Sequence, residues 1–395
     1  MGPVHWIDHV HALTSMRRRL FAGGFGDAAH IASRVSDAWL ATPPQPIAVS
    51  WAGLPRIAGS LTVRDGTFSS PVAELPGAVR TAHVRELLPR ARRPAADQPM
   101  YVVLAASGQE GFASRTRLLR PMVESTGIGV LLLENPFYGL RRPPWQQGTA
   151  LRTVGDLVLM NMGMLQEGRS LLAWLAATGH TQLGITGFSM GAAQAALVAA
   201  RWPEPLAVAV CCAGVTSAPA FTRDLLSRSI DFERLGRGEG GAEVARRKLG
   251  EYIAIADVDR HPLPRCPEAA VIVGARYDGY VLARDVERLH ELWKGSELRW
   301  LPTGHAGALI QHGAALRWAA VEAMARLRRA IAAPRPELRP LSTTEATTEA
   351  TTEATTEATT AAAKEGAPQG LWSFIDIARR ARRLIEHRNG ASRGR

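Results

Sequence analysis

Leu183-Gly-Ile-Thr-Gly187-Phe188-Ser189-Met190-Gly191 is a short apolar run ending in Gly-x-Ser-x-Gly, and an alanine-rich stretch over residues 192–200 follows it. A buried strand running into that pentapeptide and a helix running out of it is the sequence form of a nucleophile elbow. The turn is tight enough to need a small residue on each side of the serine, hence Gly187 and Gly191. It lifts the hydroxyl above the sheet and aims the N-terminus of the following helix at it. The pentapeptide alone occurs often by chance, so its weight comes from the two flanks.

Working outward, continuous apolar runs alternate with amphipathic ones from Met100 onward. Residues 101–105, 128–133, 206–210, 269–273 and 297–301 read as strands, and 115–125, 151–178, 282–294 and 306–332 as helices. Apolar strands alternating with helices predict an α/β fold: a mostly parallel central sheet with helices on both faces. One interval, 213–264, has no strand pattern. It holds helical patterns at 220–235 and 241–256 around Gly236-Arg-Gly-Glu-Gly-Gly241, and reads as a helical cap inserted over the strand ends. Residues 1–97 are rich in Pro and Gly and read as an N-terminal extension packed on the core. They carry a helix near 6–21, short strands near 58–64 and 81–87, and turn chemistry at Asp65-Gly66.

A serine hydroxyl is a weak nucleophile at neutral pH and needs a base, which in turn needs an orienting group. On a doubly wound sheet the order along the chain is serine, acid, histidine. Asp278 follows a buried strand about 90 residues after Ser189 and precedes a helix; Asp285 and Asp257 are its rivals. By itself Asp278-Gly279 is also an ordinary turn. His305, in Leu301-Pro-Thr-Gly-His305-Ala-Gly, follows the last strand and stands ahead of His312, His290 and His261 as the base. An oxyanion needs two backbone N–H donors. Met190, directly after the serine, is expected to supply one, and Ala106, Ser107 or Gly108 in the loop after the first strand of the series the other, with Ser107 and Gly108 preferred. In Glu134-Asn135-Pro136-Phe137-Tyr138-Gly139, Asn135 and Tyr138, with Arg141 nearby, are expected either at the substrate or in a turn.

Composition narrows the classes further. The 395 residues are 46% hydrophobic and 21% charged, as in a globular domain with appendages. Three cysteines, Cys211, Cys212 and Cys266, form no disulfide framework and no metal-binding spacing, so reduced thiols, no metal and no organic cofactor are expected. No apolar run reaches the roughly 20 residues of a membrane span. The N-terminus has no signal-peptide core, and Pro3 and Trp6 do not fit an acylation signal, so a cytoplasmic location is expected. The net charge of +11 comes with no nucleic-acid-binding pattern, and nucleic acid is not expected as a partner.

The charge concentrates at the end of the chain. Residues 335–370 read as a flexible linker containing Thr-Thr-Glu-Ala four times from Thr343, a composition that cannot bury a core. In 371–395, Leu371, Phe374, Ile375, Ala378, Leu384 and Ile385 fall near one helical face amid Arg379, Arg380, Arg382, Arg383 and Arg388. This is the pattern of a basic amphipathic helix that would meet an anionic membrane surface peripherally. A helix packed on the catalytic domain, or an end that only adds charge, has the same composition.

Arg115-Thr-Arg-Leu-Leu-Arg-Pro-Met-Val123, Leu131-Leu-Leu-Glu-Asn-Pro-Phe-Tyr-Gly139, Gly184-Ile-Thr-Gly-Phe-Ser-Met-Gly191 and Leu225-Leu-Ser-Arg-Ser-Ile-Asp231 together resemble the alpha/beta-hydrolase domain-containing protein 18 family. The resemblance spans residues 13–330. It implies an α/β-hydrolase fold, with the family's serine, acid and histidine on Ser189, Asp278 and His305; the change of pattern along the chain puts the catalytic domain at residues 98–334. It also implies a hydrolase of esterase or lipase type without settling the substrate, for which a small-molecule or lipid ester is expected. Two positions depart from the expected pattern: Ala192 where a second glycine is expected after the elbow, and Ala106 where the oxyanion loop would carry glycine. A thioesterase, amidase or perhydrolase on the same three residues, or a catalytically silent binding module, remains an alternative.

Overall fold

The register of one strand decides where the chemistry falls. In the computed structural model, which describes residues 4–15, 19–91 and 93–332, ten strands form one sheet. They are β1 (Ser50–Trp51), β2 (Arg56–Ala58), β3 (Leu61–Ser69), β4 (Thr81–Pro89), β5 (Met100–Leu104), β6 (Gly129–Leu133), β7 (Leu183–Phe188), β8 (Ala207–Cys211), β9 (Ala270–Ala275) and β10 (Glu297–Leu301). The order is β1-β3-β4-β6-β5-β7-β8-β9-β10, with β2 beside β3. The six strands from β6 to β10 are parallel. Every residue of β5 to β9 is buried, as continuous apolar strands covered on both faces must be. The chain leaves β5 in one direction to β6 and returns on its other side as β7, so the crevice beside β7 is a topological switch point, where such sheets bind ligands. Leu104 lies opposite Gly187, Phe188 opposite Cys211 and Ala275 opposite Leu301, so the loops after β5, β7, β9 and β10 emerge at one sheet edge.

Helices Ala113–Thr126, Val154–Ala177, Met190–Ala200, Ala283–Leu292 and Gly313–Ala332 cover the sheet. The longest starts at a capping box in which Thr153 and Asp156 satisfy each other's backbone N–H groups. Between β8 and β9, where the sequence predicts a helical cap, the structure has helices Ala218–Thr222, Phe232–Leu235 and Ala242–Ala254 with 3₁₀ turns at Leu225–Ser229, Val258–Arg260 and Pro267–Ala269.

Three readings of the sequence change. The helix read over 306–332 is two helices, His305–Gln311 and Gly313–Ala332, broken at His312. The helix read to residue 21 is described as Trp6–Ser15. Asp65-Gly66 is not a turn but the middle of β3, the long partner of β4 in a hairpin that adds to the sheet through β6. Its charges stay because they pair across strands: Arg64 with Glu86 at 2.6 Å and Arg85 with Asp65 at 2.6 Å. Gly66 stays because a Cβ there would stand 2.8 Å from the Trp51 ring of β1. Residues 335–370 and 371–395, read as linker and basic helix, lie outside the described residues. Among the described residues no helix is long and apolar enough to cross a membrane.

Candidate active site

Ser189 sits between β7 and helix Met190–Ala200 with φ 55° and ψ −123°. A side chain in this region costs on the order of 1–3 kcal/mol and persists only where the surroundings enforce it. Here they do. A Cβ on Gly187 would lie 2.3 Å from the Gly191 carbonyl carbon, and one on Gly191 would lie 2.5 Å from the Leu104 carbonyl oxygen. The Ser189 N–H is fixed to Cys211 O at 2.9 Å. Gly191→Ala is therefore expected to cost about 3 kcal/mol or more, at or above the usual range for overpacking, because the clash is with backbone. Urea unfolding would measure it, and a loss below about 1 kcal/mol would mean that the turn is not this tight.

The histidine and the acid come to the serine from the loops after β10 and β9. His305 Nε2 lies 2.8 Å from Ser189 Oγ, and His305 Nδ1 lies 2.7 Å from Asp278 Oδ2. The other Asp278 oxygen accepts the N–H groups of Tyr280 and Val281, each at 2.8 Å. A carboxylate only accepts, so Nδ1 carries the proton and donates it to Asp278. In the neutral ring Nε2 is then bare and accepts from the Ser189 hydroxyl. Phe188 and Tyr280 flank the imidazole with ring centroids 5.0 Å away. His305 and the Asp278 side chain are buried, whereas Ser189 keeps partial exposure, so a solute can reach the hydroxyl.

Burial pushes the His305 pKa down, but the Asp278 charge, its hydrogen bond and the nearby Asp8 charge outweigh it, and the net direction is up from 6.5. A base must be neutral to accept a proton, so kcat/KM for any substrate that needs His305 as base falls as pH drops through this raised pKa. The acid limb is expected to have its midpoint above 6.5, and a pH–rate profile with a midpoint below 6 would contradict it. The stability linkage has the opposite sense: the paired imidazolium adds stability below pH 6.5, and that contribution is lost as pH rises through the folded pKa.

The loop after β5 is held by its own side chains. Asn135 donates to Ala105 O at 2.9 Å and accepts from Ala105 N–H at 3.3 Å. Gln109 accepts from Ala106 N–H at 3.2 Å, and the Gly108 N–H faces the Tyr138 hydroxyl. These contacts engage the N–H groups of Ala105, Ala106 and Gly108, whereas that of Ser107 makes no hydrogen bond to another described residue. The Ser107 hydroxyl reaches Met190 Sδ at 3.4 Å, which ties the loop to the residue after the serine.

Asn135 and Arg141 spend their hydrogen bonds on the protein's own groups. Asn135 is fully buried as a clamp on Ala105. Arg141 is buried against Glu167, with its two terminal guanidinium nitrogens at 2.6–2.7 Å, and against the Glu134 and Val79 carbonyls. Tyr138 is buried behind Gly108. The three cysteines are free and buried. Among the described residues one group of potential metal-ligand atoms occurs, Cys212 with Asp278 and His305, all within 4.8 Å of one another. Its imidazole and carboxylate are committed to each other, and burial drives the Cys212 thiol pKa far up, which keeps the thiol neutral.

Sequence reasoning missed Asp8. It lies on helix Trp6–Ser15, fully buried, and accepts N–H groups from Gly279 at 2.9 Å, His305 at 2.8 Å and Ala306 at 2.9 Å. No motif marks it. The only trace in the sequence is an acid beside Ile7, one helical turn from His5 and His11.

Known proteins resemble this chain in fold and in sequence pattern. An acetyl xylan esterase from Paenibacillus sp. R4 superposes with a TM-score of 0.50 at 13% identity, covering 75% of this chain and 94% of that one, and so has the same fold. A thermostable esterase from Pseudomonas putida ECU1011 (TM-score 0.42, 16% identity, 69% and 86% coverage) and acetyl xylan esterase 1 from Thermoanaerobacterium sp. JW/SL YS485 (0.44, 13%, 76% and 94%) are also similar. The sequence pattern of the family described as "Alpha/beta hydrolase domain containing 18" matches residues 25–241 and 237–326. With the α/β-hydrolase sheet and its elbow in place, the chain belongs to that family.

Proposed function

We propose that the protein is a serine hydrolase that cleaves a carboxylic ester. The observation that carries this is the unbroken relay from Ser189 Oγ through both nitrogens of His305 to Asp278, at 2.8 and 2.7 Å. Ser189 attacks the ester carbonyl as its proton passes to His305 Nε2. Asp278 fixes the tautomer and stabilises the imidazolium. The N–H groups of Met190 and Ser107 receive the oxyanion, aided by the positive end of helix Met190–Ala200. The C–O bond to the leaving group breaks as Nε2 returns the proton to the alkoxide. Water then attacks the acyl-enzyme, gives its proton to Nε2, and Ser189 leaves with that proton. The basic segment 371–395 supports a lipid as the carrier of the ester.

Turnover of matched activated esters, thioesters and anilides tests the class. Faster turnover of the ester than of the other two is expected. A clear preference for the thioester or anilide would move the reaction to another acyl transfer. No turnover of any of the three would favour a binding module.

A further inference from the structure

The bond between Asp278 and His305 spans two loops, those after β9 and β10, whose last backbone link is the Tyr277 N–H to Thr303 O at 3.0 Å. Past Thr303 no backbone hydrogen bond joins the two loops among the described residues, so the reacting ends need a further link. The Asp8 carboxylate sits under both. One oxygen takes the N–H of Gly279, the residue after Asp278, and the N–H of His305 itself. The other takes the N–H of Ala306. Burial pushes its pKa up, but all three partners are donors and the His305 charge lies close by, and these favour the carboxylate. Its seat is fitted: a Cβ on Gly304 would stand 2.6 Å from Asp8 Oδ2.

Helix Trp6–Ser15 is anchored to the same loop on both sides of Asp8. The His5 N–H donates to Tyr277 O at 2.9 Å, and His11 Nδ1 lies 2.8 Å from the hydroxyl of Tyr280, whose ring flanks His305.

We propose that Asp8 is a positioning residue: by bridging the Asp278 and His305 loops, its carboxylate holds the imidazole between Asp278 and Ser189. The catalytic meaning of that geometry rests on the function proposed above. The groups facing His305 are Asp278, Asp8, the Ser189 hydroxyl, Tyr280, the neutral Cys212 thiol and, beyond Tyr280, His11, which burial and the His305 charge hold near a pKa of about 4. Asp8 and Asp278 are therefore the anions that favour the imidazolium. Losing Asp8 removes one directly and loosens the other. Asp8→Asn cannot replace it, because the amide NH₂ would face an N–H donor.

The test is an NMR titration of the His305 ring in the full chain, wild type against Asp8→Asn, alongside ester kinetics. Gly304→Ala is a second variant that presses on the same carboxylate from the other side, and it is read if Asp8→Asn does not fold. The expected result is that His305 titrates at lower pH in the variant. The acid limb of kcat/KM should move the same way, and kcat should fall about tenfold to a hundredfold with KM changing less than kcat. An unchanged His305 titration with wild-type kcat would overturn the proposal. Failure of the enzyme reading looks different: the wild type would turn over no substrate, while the titration difference between wild type and variant would persist.

Discussion

Asp278→Asn is expected to lower kcat about 10⁴-fold while leaving the fold intact. The reason lies in the two N–H groups of Tyr280 and Val281 that converge on one Asp278 oxygen. In the asparagine variant the amide oxygen must take that place, which turns the NH₂ toward His305 Nδ1. Nδ1 then has to accept, so the neutral ring carries its proton on Nε2, the nitrogen facing Ser189. A protonated Nε2 cannot take the serine proton. Steady-state kinetics on an activated ester, with thermal unfolding as the check on folding, would measure this. A loss of less than about tenfold would mean that Asp278 does not set the tautomer.

Arg141→Ala is expected to destabilise the protein by about 3–5 kcal/mol, because it leaves the fully buried Glu167 carboxylate without a counter-charge. The guanidinium also holds the Glu134 and Val79 carbonyls, so the loop after β6 loses its anchor as well. At about 2–4 °C per kcal/mol the melting temperature should drop by roughly 10 °C. Replacing both partners together, as Arg141→Met with Glu167→Leu, should recover part of that loss, since the cost comes mainly from the unpaired charge. A single variant as stable as the wild type would show that the pair is not structural.

The parallel half of the sheet was legible because its strands are apolar throughout and each is followed by a helical pattern. The elbow and the chain order of Ser189, Asp278 and His305 were legible for the same reason, since sheet topology puts consecutive strand ends side by side. The N-terminal hairpin was harder. β3 carries Arg64 and Asp65 half-buried on its two opposite faces, and its Asp-Gly pair imitates a turn that only the close approach of Trp51 explains. The roles of Asn135 and Arg141 were ambiguous because a polar residue near a strand end can face a ligand or a buried carbonyl, and only tertiary contacts decide which. Asp8 was invisible. Its three partners lie about 270–300 residues away in the chain, and no local pattern encodes such a contact.

Labelling by a fluorophosphonate, wild type against Ser189→Ala, tests the nucleophile most directly. The wild type is expected to label covalently at Ser189, with the rate rising through the raised His305 pKa, and Ser189→Ala is expected not to label. A wild type that stays unlabelled, or an alanine variant that labels equally, would contradict the assignment of Ser189 as the nucleophile.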